Sequence, residues 1–557
     1  MRRHRQNVRH RLQQKRQTKS VVVGGGHAAQ SVRGRRRWGH ANANRGCAFR
    51  VCAFAQIGAV NFVRCAVMRV AAERANVPCR SQNDERQQRA DKQTQLQRKS
   101  SQRFARRKQR EIQRQKYEKS FSISADLARN FRLLHSFFVQ NSHENPVIHT
   151  LPNGLTVLAL SQKERGVAAF SFLIPAGSAS ENPAQNGISN LLESTLFCGA
   201  QSPDGTPRDA RAISDALDAL GVERGSGADV EYTTFSGATL GVYLEAALEI
   251  YADILRRPTF PQSDFENQKQ LALQAIRGLD DAPSRKLMVQ LRRSWFESAH
   301  RHAAIGTLET VEALQIEQLR VDFARRYCPN GAILALAGNF EWPRLLEKIE
   351  SLFGDWRGEK RRVEAPRIVE APLREHVWSE REQVHIALAW RGVAPDDPQN
   401  YAYRLANGVL SGGMGARLFS EVREKRGLVY SVSASVSSHR DIGWTTAYAG
   451  TTAQRAQETL DVLVAELKKM EQGVAREELE RARTKLLTSL VMGEESTRAR
   501  ASSMARDFWI LGRVRSLDEL ETQIGAVTTQ DIADFYARNP FENFSVVTLG
   551  PRALQCP

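Results

Sequence analysis

The chain has 557 residues, a formal net charge of +19 and 41% hydrophobic residues. Its length corresponds to about three or four domains, or to two large domains and a tail, and the apolar fraction is ample for a sizeable core. No stretch approaches about 18 uncharged apolar residues, which excludes a transmembrane helix. Seven Cys, an odd and low number, exclude a disulfide-framed secreted miniprotein.

The charge is concentrated at the N-terminus. Residues 1–120 hold 31 Lys and Arg against 6 Asp and Glu, whereas 121–557 hold 49 basic and 55 acidic residues. The first segment is too poor in apolar residues to offset chain entropy, so we expect a disordered basic extension, with a solvated helix near 85–118. A mitochondrial transit peptide, an arm that binds nucleic acid through phosphates and an upstream translation artefact are the alternatives.

The globular pattern begins near residue 147. Two strand-like runs, 147–151 and 155–160, flank the sequence Pro-Asn-Gly, and Asn-Gly is a strong hairpin signal because both residues tolerate positive φ. A third strand is predicted over 168–174, and a helix over 187–197. The body therefore opens with a hairpin, a strand and a helix.

The body contains an internal repeat. Gly338 and Gly550 each end an apolar strand that follows a helical segment, at an offset of 212 residues. Near the start of each copy, Phe170–Gly177 parallels His385–Gly392 at an offset of 215. A fixed offset of this kind indicates two homologous α+β halves of roughly 200 residues.

The repeat sets the predicted domain boundaries. Residues 121–354 form the first predicted domain and 379–557 the second. The stretch 355–378 between them is rich in charge and Pro, which is typical of a linker.

Five separated stretches of the body resemble one family in its own order. They are NGLTVLAL, GSASENPAQNGISNLLESTLFCGA, FENQKQLALQAIRGLDDAPS, HRHAAIGTLETVEAL and LSGGMGARLFSEVREKRGLVYSVSA. They resemble the insulinase/pitrilysin-type metallopeptidases, which include mitochondrial processing peptidase and its small bacterial relatives. The resemblance covers roughly 147–551. It implies an α+β fold, a clamshell of two homologous domains that each have a β-sheet flanked by helices.

The resemblance also locates a metal site, which has lost its ligands. The family uses an inverted zinc motif, His-x-x-Glu-His, in which two His bind zinc and Glu is the general base. The corresponding residues here are Asn190, Glu193 and Ser194, and the third-ligand position is Gln274. Asn, Ser and Gln offer only neutral oxygen donors, a poor set for zinc. We therefore predict a degenerate motif with no intact catalytic site, no metal and no cofactor.

No other nucleophile or ligand set in the sequence replaces the lost motif. Ser194 and Cys198 lie near the ancestral site, but no His occurs between His149 and His300. His300 and His302 could bind metal as an i, i+2 pair, although the family has a structural loop there. Three His residues that are distant in sequence could approach Ser194 or Cys198 in space, and they are His376, His385 and His439.

The second half retains the residues that the family uses for substrate. The resemblance assigns Arg423 and Tyr430 to the substrate-binding site, where a guanidinium and a phenol can bind a substrate carbonyl. The alternative is a charged helix end before Gly427 and a core strand residue. A glycine-rich loop with Gly412, Gly413 and Gly415 either helps to bind substrate or is a flexible turn.

The expected function is that of a zinc-less, substrate-binding subunit that is inactive alone. Its partners would be a zinc-bearing homologous subunit in a heterodimer, or a second copy in a homodimer, and a peptide substrate. The alternatives are a structural or assembly subunit like the core proteins of respiratory bc1 complexes, an active zinc metalloendopeptidase with a noncanonical site, and nucleic-acid association through residues 1–120, which we do not favour. We expect a soluble bacterial cytoplasmic protein, with the periplasm or the mitochondrial matrix as alternatives.

Overall fold

The computed structural model describes residues 145–359 and 363–556. The predicted basic extension and its predicted disorder lie outside the described residues, and so does the beginning of the first predicted domain. Among the helices that are described, none combines the length and the apolar character needed to cross a bilayer.

Eight strands of the first half form a six-stranded sheet and a small two-stranded sheet. They are β1 (Val147–Thr150), β2 (Thr156–Ser161), β3 (Val167–Ile174), β4 (Gly199–Gln201), β5 (Pro207–Asp209), β6 (Glu223–Ala228), β7 (Thr233–Leu240) and β8 (Ile333–Gly338). The large sheet has the order β1-β2-β8-β3-β7-β6, and β4 pairs with β5. The predicted hairpin is confirmed: β1 and β2 are antiparallel, and Gly154 has a φ of 89° in the turn between them.

Five strands of the second half form one sheet. They are β9 (Arg374–Trp378), β10 (Gln383–Arg391), β11 (Val429–His439), β12 (Ile442–Thr452) and β13 (Phe544–Gly550). Their order is β11-β12-β10-β13-β9.

The helices follow the same division. The first half has α1 (Ile188–Thr195), α2 (Ala210–Ala219), α3 (Leu244–Arg256), α4 (Gln262–Arg277), α5 (Pro283–Trp295), α6 (Leu308–Ala313), α7 (Ile316–Arg326) and α8 (Trp342–Phe353). The second half has α9 (Asn400–Ser411), a π-helical turn (Phe419–Glu424), α10 (Ala456–Lys468), α11 (Arg476–Glu494), α12 (Thr497–Leu511), α13 (Leu517–Ala526) and α14 (Thr529–Arg538).

The two sheets have the same topology, so the predicted duplication is confirmed. Read from the parallel pair outward, β2-β8-β3-β7-β6 matches β9-β13-β10-β12-β11. The parallel pairs are β2 with β8 and β9 with β13, and all other pairs in the two sets are antiparallel. Strand β1 is an addition to the first sheet.

Each sheet is covered on one face by its own half and on the other by a helix of the opposite half. Met504 on α12 is buried against the first sheet, in a cluster that contains Leu158 and Leu173. Leu291 on α5 is buried against the second sheet, in a cluster with Val547 and other strand residues. Each half therefore supplies a helix that covers the sheet of the other half. Neither sheet can bury its second face without the other half.

The predicted linker needs one correction. Its last five residues, Arg374–Trp378, are strand β9, which pairs in parallel with β13. Its sequence, REHVW, carries charges because it is an end strand of the sheet, and this charge made it look like a loop.

Candidate functional site

Helix α1, which carries the degenerate motif, is fixed at its N-terminus by a buried carboxylate. Glu181 accepts hydrogen bonds from the backbone N–H groups of Gly187 at 3.0 Å and Ser189 at 2.8 Å. These are groups that a helix cannot satisfy internally. Burial raises the pKa of Glu181, although the nearby Arg326 and the hydrogen bonds act against this shift.

A buried arginine ties α1 to the rest of the half. Arg326 donates from Nη1 to Ser189 Oγ at 2.9 Å and to the Gly177 carbonyl at 3.0 Å. Its Nε donates to Asp322 Oδ2 at 2.7 Å on the same helix, α7. The start of α1 therefore has a fixed position relative to the sheet and to α7.

Three of the predicted motif residues lie together on the partly exposed side of α1. Burial raises the pKa of Glu193, and a side-chain hydrogen bond with Ser226 on β6 only partly offsets it. Ser194 Oγ donates back into its own helix, to the carbonyls of Leu191 at 3.1 Å and Asn190 at 3.2 Å. Asn190 has no hydrogen-bonded side-chain partner within the described residues.

The fourth predicted motif residue, Gln274, lies on the exposed side of α4. Helix α4 buries Phe265, Lys269, Ala272 and Leu273, whereas Gln274 is exposed. The α4 side chain that reaches the end of the α1 segment is Gln268, whose Nε2 lies 3.7 Å from Cys198 Sγ.

These residues do not fit a zinc ion. Asn190 and Ser194 supply neutral oxygen atoms, Glu193 is engaged with Ser226, and Gln274 is exposed to solvent. Zinc sites in proteins are built from thiolate, imidazole and carboxylate groups at about 2.0–2.3 Å. No group of three or more His, Cys, Asp or Glu side chains that could hold a metal ion occurs in the described part of the chain.

His439, one of the distant histidines, and His300 of the i, i+2 pair meet at an acidic residue that the sequence did not single out. Glu231, between β6 and β7, lies 3.5 Å from His300 Nε2 and 3.2 Å from His439 Nδ1. The ring centroids of His300 and His439 are 4.9 Å apart. Residues so far apart in sequence gave no local signal for this cluster. His302 is half-buried, and burial lowers its pKa.

The two predicted substrate-binding residues of the second half are both accessible. Arg423 lies on the π-helical turn, with its guanidinium 4.9 Å from the ring centroid of Phe419. Tyr430 lies at a β-bulge in β11, is 44% exposed and donates from its hydroxyl to Gln383 Oε1 at 3.2 Å. The alternative assignment of Tyr430 to the core is therefore wrong.

Tyr430 belongs to a hydrogen-bonded network on the second sheet. It shares a side-chain hydrogen bond with Tyr448, whose hydroxyl lies 2.7 Å from Nδ1 of the buried His385. Gly450 makes room for the network, since a Cβ there would lie 2.6 Å from the Tyr430 ring. Tyr448 also lines a groove of about 470 Å³ between β11, β12 and α5.

The glycine-rich loop lies between α9 and the π-helical turn. The Gly412 carbonyl accepts a hydrogen bond from Lys485 Nζ on α11. Gly413 has a φ of 144°, which only glycine adopts readily. A Cβ on Gly415 would meet little, with Arg481 Nε at 3.9 Å. One end of the loop is therefore held by α11.

The comparisons with known proteins agree with this architecture. The family described as "Insulinase (Peptidase family M16)" matches residues 156–306, and "Peptidase M16 inactive domain" matches residues 313–486. An uncharacterized zinc protease of Streptomyces coelicolor is 30% identical over 416 residues, which are 72% of this chain and 89% of that protein. The chain belongs to peptidase family M16. An uncharacterized zinc protease of Bacillus subtilis is 28% identical over 409 residues, 72% of this M16 chain and 98% of that protein.

Solved M16-like structures share the fold. A peptidase M16 inactive domain from Pseudomonas fluorescens superposes with a TM-score of 0.67 at 23% identity, and the match covers 74% of this chain and 100% of that one. A protease from Helicobacter pylori gives a TM-score of 0.66 at 18% identity and covers 73% and 99%. The predicted family and the predicted fold of two M16-like domains are therefore confirmed.

Proposed function

We propose that this M16 chain is a zinc-less subunit that pairs with a zinc-bearing homologue and helps to hold an extended peptide. The observation that carries the proposal is the chemistry of α1: Glu193 remains, but Asn190 and Ser194 stand at the two positions where the family motif has His. Without a metal to lower the pKa of the attacking water, a lone carboxylate gives little hydrolysis.

The edge of the first sheet supports a role in peptide binding. In the second half, the edge strand β11 is covered by α9: Asn407 Nδ2 donates to the Ala434 carbonyl at 3.3 Å, and Ser411 Oγ accepts from the Ala434 N–H at 2.7 Å. In the first half, the equivalent edge strand β6 has no such backbone cap from α1 among the described residues. An uncapped edge can accept an extended peptide as an added strand.

The second half supports the same proposal. Arg423 and Tyr430 are exposed polar side chains whose hydrogen-bonding groups are suited to peptide carbonyls. The network through Tyr448 to buried His385 would hold the Tyr430 ring in position.

The experiment compares the chain alone with the chain co-expressed with a zinc-bearing M16 protein that has intact His-x-x-Glu-His. A quenched fluorescent peptide library reports hydrolysis. We expect no chelator-sensitive activity from the chain alone and activity from the pair. Arg423→Ala and Tyr430→Phe are expected to reduce the activity of the pair about tenfold or more.

Tyr243→Phe, which changes another exposed tyrosine on the first half, should leave the activity of the pair unchanged. Full chelator-sensitive hydrolysis by the purified chain alone would overturn the proposal and favour an enzyme with a noncanonical site.

A structural or assembly subunit is the second candidate. It is favoured by the similarity in fold to a chain of Complex III2 from Candida albicans, with a TM-score of 0.62 at 19% identity. A stable complex with a homologue that is indifferent to both Arg423→Ala and Tyr430→Phe would support this candidate over the first.

A further inference from the structure

Strand β6, at the edge of the first sheet, is contacted by different side chains on the two faces of the sheet. Ser226 contacts Glu193 on α1, on one face of the sheet. The neighbouring residue, Gly225, faces α12 from the second half, and Arg498 of that helix lies against it. Successive residues of a strand point to opposite faces, so the two contacts belong to opposite sides of the same edge.

Arg498 occupies the space that a side chain on Gly225 would need. Its Nη2 stands where a Cβ of residue 225 would be, with Ser236 Oγ the next atom at 3.3 Å. Within the described residues, Arg498 has no ion pair and no hydrogen-bonded partner. A partly buried guanidinium with no anion beside it is a strong hydrogen-bond donor and is suited to bind a carboxylate.

Resting on the proposed function, we infer that β6 selects peptides with an acidic side chain, which Arg498 binds. A strand added beside β6 would place alternate side chains about 4.5–5.5 Å from those of β6 on each face. Side chains on the α12 face would meet the guanidinium next to the small Gly225. Those on the α1 face would meet Asn190 and Glu193.

Charge disfavours the first 72 residues of the chain's own extension as the occupant. Residues 1–72 contain no Asp or Glu, and a segment rich in Arg would be repelled by Arg498. The expected ligand is therefore an extended peptide from another protein, with Asp or Glu at one or more alternate positions.

The test measures binding of fluorescein-labelled ten-residue peptides to the full chain by anisotropy. A neutral extended peptide is compared with variants that carry one Glu, Gln or Lys at each position in turn. We expect Glu to tighten binding by about 1.5-fold to fivefold over Gln at alternate positions, as for a partly exposed charge pair. Arg498→Glu should reverse the order, so that Lys binds more tightly than Glu at the same positions.

Two further variants separate this inference from the proposed function. Ser226→Pro removes an edge N–H and should weaken all of the peptides, because proline cannot donate to an added strand. Arg285→Glu, on α5 beside the second sheet, should leave the preference unchanged. Circular dichroism and thermal unfolding verify that each variant folds.

The binding experiment distinguishes the preference for acidic peptides from the proposed function in peptide binding. Equal binding of Glu, Gln and Lys peptides, unaffected by Arg498→Glu, would overturn the acidic preference and leave the proposed function standing. Binding of none of the peptides would overturn both. A preference that follows Arg285 rather than Arg498 would also overturn the assignment to β6.

Discussion

Glu231 and His439 face each other across the junction between the two halves, with Glu231 Oε2 3.2 Å from His439 Nδ1. The same oxygen accepts a hydrogen bond from Trp509 Nε1 at 2.9 Å, and His300 Nε2 lies 3.5 Å from the other oxygen. One carboxylate of the first half therefore binds two side chains of the second.

We expect Glu231→Gln to lower the free energy of unfolding by about 2–3 kcal/mol. The substitution removes charge-assisted hydrogen bonds and leaves buried donors without an ionised acceptor. Urea denaturation measures the change. The matched control is Glu347→Gln on α8, an exposed glutamate, which should change stability by less than about 0.5 kcal/mol. Equal effects of the two substitutions would contradict the role of the junction.

The lowered pKa of Glu231 makes the free energy of unfolding depend on pH. Burial alone would raise the pKa of Glu231, but its contacts with His300, His439 and Trp509 outweigh the effect of burial and hold the pKa well below its usual range. A lowered folded pKa contributes stability above the unfolded value, about 4.3 for Glu, and this contribution is lost as the pH falls below that value. The difference in unfolding free energy between wild type and Glu231→Gln should shrink from about pH 6 to about pH 3.

The exchanged helices predict that the two halves unfold together. Met504 on α12 is fully buried against the first sheet, so Met504→Ala should cost about 2–5 kcal/mol. Hydrogen exchange should show loss of protection in strands of both sheets. The substitution weakens the contact of α12 with the first sheet, and a loosened α12 also destabilises the half to which it belongs. Loss confined to α12 and the second sheet would contradict this coupling.

The tyrosine network predicts a stability effect at a residue that no substrate needs to touch. Tyr448→Phe removes the partner of His385 Nδ1, which lies 2.7 Å from the Tyr448 hydroxyl, and leaves a buried polar atom unsatisfied. We expect a loss of about 1–3 kcal/mol. Tyr430→Phe, at an exposed position, should lose less than about 1 kcal/mol of stability while weakening peptide binding. Thermal unfolding distinguishes the two.

Much of the fold could be predicted from local pattern. The first hairpin, the helix at 188–195 and the matching ends of the two repeats depend on neighbouring residues and on periodicity, which are read directly along the chain. Strand β9 was missed because an end strand tolerates charge on its open side, and so Arg374 and Glu375 looked like linker residues.

The junction and the exchanged helices could not be predicted in the same way. An amphipathic pattern shows that a helix buries one face but not which sheet it covers, so α5 and α12 gave no sign of crossing between halves. Glu231 and His439 meet only because the two sheets are brought together by these helices.

Restoring the motif should restore metal binding. Asn190→His with Ser194→His places two imidazoles at i and i+4 on one side of α1, an arrangement that suits zinc. Calorimetric titration with zinc should show binding by the double variant, weaker than in a complete three-ligand site. The single variant Asn190→His serves as the control and should bind little. Failure of the double variant to bind more zinc than the single variant would contradict the account of α1.

The zinc content of the wild-type chain, purified without a companion subunit and measured by plasma mass spectrometry, tests the central claim most directly. Because Asn190 and Ser194 cannot replace imidazole ligands, we predict less than about one-tenth of a zinc ion per chain. About one ion per chain, retained through gel filtration and lost in the double variant Asn190→Ala with Ser194→Ala, would contradict it.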